Sequence, residues 1–212
     1  MTMKKIILAS QSPRRSEILR KAGYDFISIP THVSEIPNIN LNMNEQIIDI
    51  ARRKARFCNS QLADIGLDAF SVTSADLILA ADTMVCLSDQ ILGKPENEKM
   101  AFDFLTLLSG KIHHVKTAVV IIDLSTNDEI SLIETTEVRF RKISVTEITD
   151  YISTKEPLDK AGAYAIQGIG AKFVSGYNGD FDNVVGLPLQ AIEKEFKIKS
   201  WTLKRLLPDP IS

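Results

Sequence analysis

"ILASQSPRRSEIL", residues 7–19, decides the fold. A short apolar run ends in Ser10, and a helix begins at Ser12-Pro13. Ser at the N-cap and Pro at the first helical position are the preferred residues there. A buried strand leading straight into a helix is the opening of an α/β fold. Arg14 and Arg15 then depart from the pattern, because the first helical turn carries partial positive charge and usually attracts Asp or Glu. Two explanations stand. The arginines are solvated or paired with a nearby acid, or they and the helix N-terminus jointly bind an anion. Free backbone N–H groups there suit phosphate, and arginine adds charge and a forked donor set.

Outward from this stretch, residues 4–9 read as a buried strand, 12–22 as a helix, 25–29 as a short strand and 33–44 as a polar loop. Residues 45–62 read as a helix with Ile47, Ile48, Ala51, Ala55, Cys58 and Leu62 on one stripe. The apolar run "DLILAAD", 76–82, reads as a central strand that stops on an acid. A small hairpin follows over 84–92 and a helix over 97–108. Two long strands are expected at 114–123 and 129–143, the second with one wet face, then helices at 145–154 and from about 188. The expectation is an α/β fold with a mixed sheet, as a single domain over 1–212 with two lobes around a cleft. There are no repeats, low-complexity tracts or linkers rich in Pro, Gly or Ser.

Composition excludes several function classes. Hydrophobic residues make up 44% and charged residues 25%, as in an ordinary globular protein, and the formal net charge is −2. No global field draws the chain to nucleic acid or to a membrane surface, and no basic tract has interleaved aromatics. The apolar run after "MTMKK" is too short for a signal sequence or a membrane span, so a cytoplasmic protein is expected. Cys58 and Cys86 have no metal spacing and read as two reduced thiols. His32, His113 and His114 lack the spacing of a zinc site.

Three further places break local rules, as functional sites tend to. In "ARRKARF", 51–57, Arg52, Arg53 and Arg56 point away from the apolar stripe as a solvated face, but Lys54 falls in phase with it. An inward lysine needs either snorkelling or a buried negative partner. Asp82 follows a buried run, where ligands of open α/β sheets sit beyond the carboxyl ends of strands. An acid there holds Mg²⁺, serves as a general base, or merely caps a turn. Downstream, Lys94 lies in a Gly-Lys-Pro turn that is not a Walker loop. The stretch 156–189 is punctuated by glycines and polar residues, which favours a binding surface. Its glycines do not match a dinucleotide fingerprint.

Together these stretches resemble the Maf family of nucleoside triphosphate pyrophosphatases. The resemblance runs from "LASQSPRRSEIL" through "ARRKA", "AADTMV" and "GKP" to "DKAGAYAIQG" and "NVVGLPL". It implies an elongated Maf/Ham1-like α/β fold with a mixed sheet and a central cleft. The implied reaction converts a nucleoside triphosphate to the monophosphate and pyrophosphate with a divalent cation, Mg²⁺ or Mn²⁺. "SPRR", "ADT" and "AYAIQG" are similar to the branch acting on dTTP and UTP. By that resemblance Arg14, Thr83 and Gln167 set base preference, and Asp82 is the proton acceptor. Ser10, Arg15, Lys54, Lys94 and Lys160 contact phosphate, and Glu35 and Asp82 hold the metal. A homodimer is implied by the family alone. Two departures are Ala165, where the branch more often has Gly, and Phe181, where Tyr is common.

The residues agree with that chemistry. Positioning and charge neutralisation dominate transfer at phosphorus. Gln167 offers a donor and an acceptor, which suits the O4/N3–H edge of uracil or thymine. Two alternatives remain at this point. One is a nucleotide-binding regulator of cell division with little turnover. The other is a 7-methyl-GTP pyrophosphatase, against which "SPRR" and "AIQG" weigh.

Overall fold

The computed structural model describes residues 3–66, 72–73 and 76–206. Its strands form a seven-stranded sheet in the order β2-β1-β3-β5-β6-β7, with β4 paired to β3. The sheet is mixed: β1 (Ile6–Leu8) lies parallel to β2 (Phe26–Ser28) and to β3 (Leu77–Leu87). β4 (Gln90–Leu92) is antiparallel to β3, and β7 (Val174–Asn178) to β6 (Asp128–Phe140). β5 is Ile112–Asp123. The α/β class with a mixed sheet is as expected. The chain divides into two compact units, with β3, β5 and β6 contributing to both.

The first unit takes its described residues from Met1–Asp82, Ala118–Ile133 and Leu189–Ser212. Ile6, Ile7 and Leu8 are fully buried, as a strand between two parallel neighbours must be. Each such side chain stabilises the fold by about 1.5–3 kcal/mol. α1 (Pro13–Lys21) begins with Pro13 at its first position and has no acid in its first turn. α2 (Met43–Ile65) starts two residues earlier than the periodicity predicts. Asn42 and Glu45 form a capping box there, each accepting from the other's backbone N–H. Its buried stripe is Ile47, Ile50, Ala51, Ala55, Cys58 and Leu62, with Ile48 half-buried at the edge. α6 (Leu189–Ile198) buries Ile192 and Phe196. The buried Asp76 that opens "DLILAAD" is structural, its two oxygens accepting from the backbone N–H groups of Lys5 and Thr73.

The apolar run predicts a strand that ends at Asp82 and a hairpin from residue 84. The structure instead runs β3 without interruption for 11 residues. Asp82 is therefore mid-strand, not at a carboxyl end. Continued pairing to β4 at Val85–Leu87 holds the strand together past the acid. Ser10 does lie just beyond the end of β1, as expected.

The second unit comprises Thr83–Thr117 and Glu134–Pro188. Its core joins Val85, Leu92, Val115, Val138 and Phe140 from the strands to Leu105 and Leu108 of α3 (Glu98–Leu108). Ile148, Tyr151 and Ile152 of α4 (Val145–Ser153) complete it. The wet face expected of β6 appears in its second half, where only alternate residues Thr136, Val138 and Phe140 are buried. Residues 156–188 fold as three 3₁₀ turns, β7 and the five-residue α5 (Phe181–Val185). Gly162 belongs there because its φ is +66° and a Cβ would lie 2.8 Å from Val85.

Candidate active site

In the first unit the sheet and two helices gather five of the expected residues. Lys54 projects from α2, and its side chain is only 7% exposed. Its Nζ lies 2.7 Å from Asp82 Oδ1 on β3 and 2.6 Å from Glu35 Oε1 in the loop before α2. Of the two explanations for an inward lysine, a buried negative partner is the one observed. Arg15, also buried, interacts electrostatically with both Asp82 and Glu35. Arg15 is thus partly explained by nearby acids, which are themselves candidate site residues.

Burial raises the Asp82 carboxyl above its ordinary value, opposed by the Lys54 ammonium and the Arg15 guanidinium. Burial also lowers Arg15, while the two acids pull it back up. A guanidinium still stays charged, so Arg15 keeps its positive charge beside the two carboxyls, of which Asp82 is buried and Glu35 reaches solvent. Ser10 Oγ accepts from the Ser12 N–H at 3.1 Å and from Arg15 Nη1 at 3.3 Å. With both lone pairs engaged, the Ser10 hydroxyl has only its proton left to offer. Ser12 makes no side-chain cap bond to the N-terminus of α1. Arg14 is half-buried beside Arg15.

The outward arginine face of α2 is as expected, with Arg56 exposed, but Arg52 and Arg53 are half-buried and all three are paired. Arg52 and Arg56 both bond Glu129 on β6. Arg53 pairs with Asp49 and donates to the carbonyls of Ser34 and Ile36. It therefore grips the loop on either side of Glu35. Outward position on a helix wheel did not reveal this, because the partner is a loop backbone whose path has no periodicity.

The remaining expected residues belong to the second unit. Thr83 is one of only two β3 positions that are not fully buried, and its Oγ1 is 3.0 Å from Thr117 Oγ1. Lys94 is exposed in the turn after β4, and Lys160 pairs with Asp159. Gln167 is exposed where a 3₁₀ turn begins. Glu156, not singled out from the sequence, braces that turn by accepting from the N–H groups of Ile169 and Gly170. Tyr151 donates to the same carboxylate at 2.9 Å. Gly170 is required because a Cβ would sit 2.6 Å from the Tyr151 hydroxyl.

Among the described residues no three His, Cys, Asp or Glu side chains group as a metal site. Glu35 and Asp82 nonetheless present two carboxylates to one ammonium, so they face a common point. Mg²⁺ is commonly bound by one or two carboxylates together with substrate phosphates. The donor set fits such a cation.

A buried acid thus stands with two basic side chains, one of them from the first turn of α1, which holds no acid. Residues 5–198 match the family model described as Maf-like protein, and the chain belongs to the Maf family. A dTTP/UTP pyrophosphatase of Bdellovibrio bacteriovorus is 50% identical over 188 residues, covering 89% of this chain and 95% of that one. Proteins of the same name from Caldicellulosiruptor bescii and Bacillus cereus are 44% and 43% identical, over 88% and 92% of this chain and 90% of each relative.

Proposed function

We propose that this chain hydrolyses dTTP and UTP to the nucleoside monophosphate and pyrophosphate, with a divalent cation. The observation that carries the proposal is the buried Lys54–Asp82 pair flanked by Glu35 and Arg15. Its relatives' names and their near full-length match support the substrate assignment.

In this account the Ser10 hydroxyl, the N–H groups opening α1, and Arg15 take up phosphate oxygens, and Lys54, Lys94 and Lys160 add positive charge. These groups neutralise charge that grows on the departing pyrophosphate. Asp82 accepts the proton of the water that attacks the α-phosphorus; the bond to the bridging oxygen breaks and pyrophosphate leaves. Glu35 and Asp82 would hold the cation. Bound there with the phosphates, Mg²⁺ or Mn²⁺ supplies charge stabilisation to the leaving oxygens. Arg14, Thr83 and Gln167 set base preference. Its work belongs in the cytoplasm, where nucleoside triphosphates are made and where Cys58 and Cys86 remain thiols. No helix among the described residues is long and apolar enough to cross a membrane.

The test is product analysis over a panel of triphosphates, with Mg²⁺ and with a chelator. Pyrophosphate and monophosphate from dTTP and UTP, lost on chelation, are expected. Preference for GTP over dTTP, or release of inorganic phosphate alone, would contradict the assignment.

A further inference from the structure

We propose that Thr117 and Asn183 fix the direction of the Thr83 hydroxyl, making Thr83 an acceptor toward the base and favouring uracil and thymine over cytosine. The inference rests on the reading above that Thr83 faces the base.

Thr117 is fully buried on β5. Its Oγ1 lies 2.9 Å from the main-chain carbonyl oxygen of Asn183 and 3.0 Å from Thr83 Oγ1. A carbonyl only accepts, so the single Thr117 proton is committed to Asn183. The bond between the two hydroxyls then requires Thr83 to donate. With that proton turned inward, Thr83 has only lone pairs to present elsewhere. The Asn183 carbonyl is held firmly. Its side-chain Nδ2 donates to the Val115 carbonyl at 3.0 Å and to Thr136 Oγ1 at 2.9 Å. Thr136 in turn donates to the Asp180 carbonyl at 2.8 Å. Thr117, Thr136 and Asn183 are all 0% exposed, so solvent does not offer the protons another route. This gives a role to Asn183 at the head of "NVVGLPL", which the proposed chemistry leaves unused.

A fixed polarity matters because Gln167 alone does not separate uracil from cytosine. Its side chain is exposed, and a half-turn of the amide exchanges donor and acceptor. One orientation matches O4 and N3–H of uracil; the other matches N4–H and bare N3 of cytosine. Thr83 cannot make the corresponding reversal without breaking its bond to the buried Thr117. It shares the N3–H of uracil or thymine, and it opposes the N3 lone pair of cytosine. Sites that hydrogen-bond a donor group reject analogues lacking it far more strongly than apolar pockets reject a missing methylene.

The experiment compares kcat/KM for UTP and CTP in the intact chain and in Thr83→Val, Thr117→Val and Thr117→Ser. The serine variant keeps the hydroxyl and should keep the UTP preference. The valine variant at 117 frees the Thr83 proton, and the UTP/CTP ratio should fall at least tenfold. Equal losses for both nucleotides in Thr117→Val, leaving the ratio unchanged, mean a merely structural threonine and overturn the inference. An unchanged ratio in Thr83→Val instead removes the underlying reading that Thr83 faces the base. If Thr117→Val does not fold, Thr117→Ala carries the same comparison: it also removes the acceptor of the Thr83 proton, so the UTP/CTP ratio should fall, and an unchanged ratio would overturn the inference.

Discussion

Lys54 and Asp82 show how one pair of residues serves both stability and chemistry. Each is nearly buried and each needs the other, because an unpaired charge in such a place is costly. Lys54→Met leaves Asp82 and Glu35 without their shared ammonium, and should destabilise the fold by about 3–5 kcal/mol in urea unfolding. Adding Asp82→Asn should restore part of that loss, which a double-mutant cycle measures. Additive effects would mean that the two side chains do not depend on each other. The inward phase of Lys54 was legible from the apolar stripe, but it left snorkelling and a buried anion as equal explanations. Which anion was not legible, since Glu35 and Asp82 lie 19 and 28 positions away in sequence and only folding brings them to Nζ.

At the scale of elements, helices were the most legible features, because periodicity is local, although the capping box that starts α2 at Met43 was missed. Ser12-Pro13 placed α1, and the stripe from Ile47 placed α2. β3 was misjudged for the opposite reason. An acid within an apolar run reads as an end, and it is tolerated mid-strand only because α2 supplies Lys54 across the fold. The grip of Arg53 on the Ser34 and Ile36 carbonyls was likewise invisible, although it ties α2 to the loop carrying Glu35. Arg53→Met should release that loop and raise the Mn²⁺ concentration for half-maximal activity several-fold, with kcat at saturating metal near that of the parent. An unchanged metal titration would show that Glu35 is held by other means.

Over the whole molecule, the expected site residues divide between two compact units, the charged cluster in one and Thr83, Lys94, Lys160 and Gln167 in the other. The second unit also carries an acid-sensitive element. His113 is fully buried against Phe140 and Tyr164, its Nε2 2.7 Å from the Tyr164 hydroxyl and its Nδ1 without a partner. Burial, with a smaller contribution from His114, pushes its pKa down to about 4 from 6.5. The folded chain therefore keeps His113 neutral where the unfolded chain takes a proton. Its contribution, about 3 kcal/mol, is intact above pH 6.5 and is lost as pH falls toward 4. Urea unfolding across that range should show the loss, and His113→Phe should flatten it; an equally steep fall in the variant would assign it to other groups. The account as a whole stands on Asp82 as the group that accepts a proton from the attacking water. The most direct measurement pairs dTTP turnover with dTTP binding in Asp82→Asn. A fall in kcat of about 10²–10⁴, with the dissociation constant within a few-fold of the parent, is predicted. Turnover close to that of the parent would contradict it.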